Sequence, residues 1–275
     1  MGRVWSVLFL TVPIFGVWTF VAAMNDWWPM SGGFYSLPAG HWFPELSVSD
    51  HVKDHLFYVI LYLTGVVFIG TGVVLFWFMW RYDAATNTDP IVFSHGSHAL
   101  EVIWSILPAV VLLFIAIYQM DAWAGARMRR PTLPGGEIKP PLARVTGRQF
   151  EWRIQYPGED GRLDTPDDLH VLNDLHVPID EEIVLEIESE DVLHSFFLPN
   201  MRVKQDVVPG MRQYVWFHPV REGSSDIVCA ELCGWGHYKM RGRITVDSAA
   251  EFDRWYSAAY AEQETSEFTL PEDEE

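Results

Sequence analysis

The stretch CAELCGWGHYKM, Cys229–Met240, carries both cysteines of a 275-residue chain, with a histidine and a methionine in the same loop. A disulfide between Cys229 and Cys233 would close a very small loop. The entropy argument gives such a loop less stabilisation than a long one, and His237 and Met240 would have no part in it. A metal site uses all four side chains, because thiolate and thioether are soft ligands and imidazole suits copper. Zinc would take the cysteines and histidines and leave Met240 idle. A further imidazole from a distant strand would complete a copper site, and DVLHSFFLP, Asp191–Pro199, offers His194 at a strand-like start. Two cysteines, two histidines and a methionine exceed the ligand set of one blue copper. The extra cysteine points to two coppers bridged by two sulfurs, with zinc and a disulfide as the alternatives.

Around this loop the chain reads as short strands. QFEWRIQY, Gln149–Tyr156, alternates, with Phe150, Trp152, Ile154 and Tyr156 on one face. Glu182–Ser189 alternates with Ile183, Leu185 and Ile187 inward, and Tyr214–His218 and Arg241–Val246 look similar. Pro157-Gly158, Pro178, Pro199 and Pro209-Gly210 punctuate the gaps, so a small sandwich or barrel is expected. Ser248 and Glu251 form a capping box. Phe252, Trp255, Tyr256, Ala259 and Tyr260 then follow at helical spacing. The acidic turn Gly158–Asp168 only faintly resembles a calcium loop, lacking the full EF-hand spacing, and reads better as a solvated hairpin connection.

The first half is apolar. Trp5–Met24, Leu56–Trp80 and Val102–Met120 are uncharged runs. As a helix the middle run would extend about 37 Å, enough to cross a hydrocarbon core of roughly 30 Å. The first run fits either a cleaved signal peptide or a retained membrane helix. The expected partition is 1–24 signal or extra helix, 25–55 extracytoplasmic connector, 56–123 two-helix hairpin, 124–247 β domain, and 248–275 C-terminal helix with an acidic tail. Net charge is −18, and Ile244–Glu275 holds ten acids against Arg254 alone. Such a surface repels nucleic acid and favours a basic partner. Arg127, Arg129 and Arg130 after the third run would place the β domain in the cytoplasm by the positive-inside rule, whereas Arg3 points the other way.

CAELCGWGHYKM, DVLHSFFLPNMRVKQDVVPG (Asp191–Gly210) and HALEVIWSILP (His98–Pro108) together resemble subunit II of the haem-copper cytochrome c oxidases, over roughly Leu56–Ala261. The resemblance implies a transmembrane helical hairpin, plus an extra N-terminal helix, followed by an all-β cupredoxin-like barrel with a C-terminal helix. It implies a dinuclear CuA centre on His194, Cys229, Cys233, His237, Met240 and the carbonyl of Glu231. The Glu231 side chain would reach a magnesium or manganese ion shared with subunit I. Glu101 matches the glutamate at the mouth of the proton-conducting K channel. The implied partners are subunit I, which holds the haem, the other oxidase subunits, and a c-type cytochrome donor. The implied location is the plasma membrane, or an equivalent energy-transducing membrane, with the copper domain on the periplasmic side. One position departs from the family pattern. Phe150 stands where much of the family has the tryptophan that receives electrons, with Trp152 two residues on. That departure leaves open a membrane-tethered or supercomplex-bound donor. No C-x-x-C-H haem-attachment motif occurs. A quinol oxidase subunit, a copper carrier and a nitrous oxide reductase are the competing readings. The first lacks the copper ligands, the second needs an exchangeable site, and the third needs a propeller for which this chain has no room.

Overall fold

The computed structural model describes residues 2–24, 47, 50–83, 85–90, 93 and 95–266. Most of the expected connector and the PEDEE tail lie outside these residues. The chain divides into two units, residues 1–44 with 54–120, and residues 45–53 with 121–275.

The first unit is helical, with α1 (Gly2–Met24), most of α2 (Asp50–Arg81) and α3 (His98–Tyr118), while the short α4 (Met120–Arg127) falls in the second unit from Asp121 on. Lys53–Arg81 and His98–Tyr118 have mean hydropathies of 2.4 and 2.5, and neither is covered by protein. Naked apolar faces of this size are untenable in water and ordinary in lipid, where a helix satisfies all its backbone groups internally. Tyr118 Oη lies 3.0 Å from His55 Nδ1. The start of α2 therefore meets the end of α3, as an antiparallel hairpin requires. Val4–Thr19 within α1 is a shorter apolar helix.

The second unit is an all-β domain of two five-stranded sheets. One has the order β3 (Leu169–Leu172), β2 (Glu151–Tyr156), β1 (Ala143–Arg148), β5 (Ile183–Ser189), β8 (Gln213–Phe217). The other runs β4 (Asp174–Pro178), β10 (Arg241–Asp247), β9 (Gly223–Cys229), β6 (His194–Leu198), β7 (Val203–Val207). The β1–β5 and β10–β4 pairs are parallel and the others antiparallel. This is the cupredoxin-like barrel with its C-terminal helix. Trp152, Ile154 and Tyr156 are buried, as are Ile183, Leu185 and Ile187, so the alternation marks the core face. α5 (Ala249–Ser266) starts at the expected box: Ser248 N donates to Glu251 Oε2 (3.3 Å), and Glu251 N to Ser248 Oγ (3.3 Å). Its aromatic face packs on the core.

Phe150 departs from the expected strand. Arg148 pairs with Glu151, so Gln149 and Phe150 form the two-residue tip of the β1–β2 hairpin. Phe150 is half-buried there, packed against the core from the turn and not from within the strand. In the acidic connection between β2 and β3, Asp168 is buried and accepts from Asp164 N (2.7 Å) and Thr165 Oγ1 (2.9 Å). Asp164 is paired with Arg144. These carboxylates are engaged separately and do not converge on one point.

Candidate metal centre

His194 opens β6 with its ring fully buried. It can lie there because position 147 on β1 is glycine. A Cβ at Gly147 would sit 3.1 Å from the His194 ring and 3.2 Å from Trp152. Cys229 ends β9 opposite Phe196 of β6. The loop that follows closes on itself: His237 N donates to Gly234 O (3.1 Å), Met240 N to His237 O (3.2 Å) and Cys229 N to Met240 O (3.3 Å). Gly234 takes a φ of 138°, which a side chain would resist. A Cβ at Gly236 would collide with the Phe150 ring. The hairpin tip and the two glycines thus hold the loop against the sheet.

The closure brings the sequence-named donors together. Cys229 Sγ lies 3.9 Å from Cys233 Sγ, 3.9 Å from His194 Nδ1 and 3.2 Å from the Glu231 carbonyl. Cys233 Sγ lies 3.7 Å from His237 Nδ1 and 3.7 Å from Met240 Sδ. Sulfurs 3.9 Å apart are not bonded; a disulfide needs about 2.0 Å. Ligands about 2.3 Å from a shared ion at a tetrahedral angle stand about 3.8 Å apart, and the 3.7–3.9 Å spacings match. Each thiol has one imidazole and one weaker donor beside it, the carbonyl at Cys229 and the thioether at Cys233. The donor set therefore fits a pair of soft metal ions. Among the described residues, His194, Cys229 and Cys233 are the group of three ionisable ligands close enough for one ion.

The electrostatics agree. Burial opposes ionisation of both thiols. At Cys229 the hydrogen bonds from His194 and the nearby backbone outweigh burial and bring the thiol down to about 6. At Cys233 burial and the adjacent Cys229 charge push it up to about 12. Without cations the pocket tolerates one thiolate, whereas bound cations would deprotonate both.

Asp191 is a functional residue that the sequence did not single out. Its Oδ1 lies 2.8 Å from His194 Nε2 and accepts from Val192 N (2.6 Å), while Oδ2 accepts from Gln149 N (2.8 Å). It holds the imidazole with Nδ1 toward Cys229, the second-partner arrangement typical of metal-bound histidines. The D-x-x-H spacing was its available signal. Glu190 is likewise paired, with Arg148 at 3.6 Å and Arg153 at 3.2 Å.

Two family descriptions match the chain: "Cytochrome C oxidase subunit II, periplasmic domain" over residues 153–248, and the same family's transmembrane domain over residues 43–121. The chain belongs to the cytochrome c oxidase subunit II family. It is an integral membrane protein of that family, joining a transmembrane hairpin to a cupredoxin-like domain. An alternative cytochrome c oxidase subunit 2 of Bradyrhizobium diazoefficiens is 38% identical over 133 residues, covering 40% of this chain and 48% of that protein. The aligned stretch thus spans about half of that relative's length. A cytochrome c oxidase subunit 2 of Synechocystis is 27% identical, covering 83% of this chain and 79% of that one. The crystal structure of the periplasmic domain of a Bradyrhizobium japonicum oxidase subunit II is 28% identical, with a TM-score of 0.39, covering 44% of this chain and 93% of that one.

The remaining residues named from the subunit II resemblance are scattered. Glu231 flanks the cysteines, half-buried. Glu101 stands in the first turn of α3, with an oxygen 3.6 Å from His98 Nδ1, in the other unit. Trp152 is fully enclosed against His194 and Phe196, so it cannot be the residue that a docked donor meets. Trp235, inside the ligand loop, is a surface aromatic. It is 77% exposed and packs edge-on against Phe150 at 5.3 Å. Leu232 and Tyr238 beside it are also exposed.

Proposed function

We propose that this chain is the electron-accepting subunit of a respiratory haem-copper cytochrome c oxidase, with a dinuclear CuA centre held by His194, Cys229, Cys233, His237, Met240 and the Glu231 carbonyl. The observation that carries this reading is the convergence of two imidazoles and a thioether on two thiol sulfurs 3.9 Å apart. Bound copper would supply a one-electron couple. The chain supplies a site that stays still when the charge changes. His194 is fixed by Asp191, Cys229 and Met240 sit at the ends of paired strands, and glycine packing clamps the loop. Met240 and the carbonyl are weak ligands that tune the couple instead of holding the metal.

Electrons from a c-type cytochrome arrive over the exposed Leu232–Trp235–Tyr238 surface, beside Phe150, and leave toward the haem of subunit I. There oxygen is reduced to water with proton translocation. The Glu231 side chain takes part in a magnesium or manganese site shared with subunit I, and Glu101 stands at the mouth of its K channel. In this reading α2 and α3 form the membrane hairpin, α1 is either a third span or a signal, and the β domain faces the periplasm. Burial of Cys229, Cys233, His194 and Met240 speaks against a copper carrier, which needs an exchangeable site. The full ligand set speaks against a quinol oxidase subunit. Copper analysis with paramagnetic resonance tests the proposal. Two coppers per chain sharing one unpaired electron are expected, and a mononuclear spectrum or one zinc per chain would overturn it.

A further inference from the structure

Four arginines line one cavity of the β domain whose wall includes none of the candidate metal ligands. The cavity holds about 310 Å³, and its wall includes Arg127, Arg129, Arg130, Arg212, Tyr214 and Trp216. Two contacts of the α4 segment build it. Trp216 Nε1 donates to Gly125 O (3.2 Å), and Arg127 donates to Lys204 O (2.9 Å). The Arg130 guanidinium carbon sits over the Tyr214 ring, 3.7 Å from its centroid. Arg212 is compensated, with Glu188 at 3.1 Å and Glu186 and Asp164 at 3.8 Å. The other three are compensated less. Arg129 pairs with Asp121 at 2.9 Å, and among the described residues no carboxylate pairs with Arg127 or Arg130. Three guanidinium groups thus face one carboxylate, on a chain whose net charge is −18.

The place of these arginines is equally specific. Arg127 follows the end of α3 at Tyr118 by nine residues, most of them helical, a tether on the order of 15 Å. That reaches the headgroup layer of a bilayer. The same segment exposes Trp123 (59%) and Met128 (70%), apolar groups of the kind that settle at the lipid–water boundary. Fixed cations beside exposed apolar anchors match one ligand chemistry, a phosphate carrying acyl chains. We propose that this cavity binds the phosphate headgroup of an anionic phospholipid. Given the periplasmic placement proposed above, it also gives three arginines on the outer side of a span a reason to be there, against the usual bias. The metal centre shares no residue with it.

The test is native mass spectrometry of the full-length chain extracted into detergent, offered phosphatidylglycerol, phosphatidylcholine or inorganic phosphate. One retained phosphatidylglycerol per chain is expected, with phosphatidylcholine about tenfold weaker, as the loss of one charge-assisted contact implies. Arg129→Gln with Arg130→Gln should weaken phosphatidylglycerol retention about tenfold or more, with thermal midpoint and copper content unchanged. Trp123→Ala, at an exposed position, should weaken lipid retention without a folding change. Equal retention of the two lipids, or wild-type retention in the double variant, would overturn the proposal. Inorganic phosphate binding as tightly as the lipid would overturn the lipid assignment.

Discussion

Replacing Asp191 by Asn separates two roles for this residue, aligning His194 or steering a cationic donor. The carboxylate accepts three N–H groups: His194 Nε2 and Val192 N at Oδ1, and Gln149 N at Oδ2. Asparagine has one acceptor oxygen in place of two. Whichever way its amide turns, an NH₂ faces at least one N–H. Val192 N and Gln149 N are exposed enough to turn to water, but the buried His194 is not, and a buried donor left unmet costs about 1–3 kcal/mol. If the amide nitrogen faces His194, the imidazole loses the partner that sets its tautomer. Loss of such a partner weakens metal binding about tenfold to hundredfold, roughly 1.4–2.7 kcal/mol. Copper affinity of the full-length chain, measured by competition with a chelator of known strength, should fall by that factor. The fall should be the same at low and high ionic strength, because the interaction is a direct 2.8 Å contact with a fully buried ring. Electron uptake should slow in proportion to copper lost. An unchanged copper affinity, with uptake impaired only at low salt, would refute this reasoning and place Asp191 on the docking surface.

Met240→Leu should keep both coppers and shift the redox potential. The swap is close in volume, costing under about 1.5 kcal/mol, and removes only the sulfur 3.7 Å from Cys233 Sγ; an unchanged potential in electrochemical titration counts against Met240 as a ligand. Trp235→Ala should weaken docking of the cytochrome by about 2 kcal/mol, roughly thirtyfold, while the resonance spectrum stays the same. Stopped-flow rates equal to wild type would exclude the indole from electron transfer. His176 stacks on Trp255 of α5 at 4.0 Å, between Asp247 at 2.6 Å and Asp174 at 3.4 Å. Burial opposes its charge, but the two carboxylates prevail and raise its pKa. A raised folded value gives stability that is complete below the unfolded value, about 6.5, and is lost as pH rises through the folded value. The thermal midpoint should therefore fall on moving from about pH 6 into the alkaline range, and fall less in His176→Gln; identical pH dependence in the two proteins refutes it.

Much of the architecture was readable from local pattern. The uncharged runs marked α2 and α3 because a bilayer demands length and apolarity, both one-dimensional properties. The strands around Trp152, Ile183, Val215 and Ile244 showed in the alternation, since one face meets the core. β1, β3, β4, β7 and β9 escaped notice. β1 (ARVTGR) and β7 (VKQDV) are polar at half their positions, and β9 (GSSDIVC) opens on four small or polar residues. Such segments become strands because partners supply their hydrogen bonds, and partners are chosen by the whole fold. Phe150 shows the related limit: the alternation runs through it, but it lies in the hairpin turn between Arg148 and Glu151, and the strand begins one residue later.

By itself the sequence determined which atoms are available: two thiols, two imidazoles and a thioether, four of the five within one loop, and apolar runs long enough for lipid. Ligand softness and helix length are properties of residue type and count, so no coordinates were needed. Only the tertiary structure decided that the sulfurs stand apart at 3.9 Å, that Asp191 turns inward to His194, that Trp152 is sealed and Trp235 exposed, and that arginines separated by more than eighty residues share a cavity. Those facts depend on which segments the two sheets bring side by side, and contact between residues distant along a chain leaves no local mark.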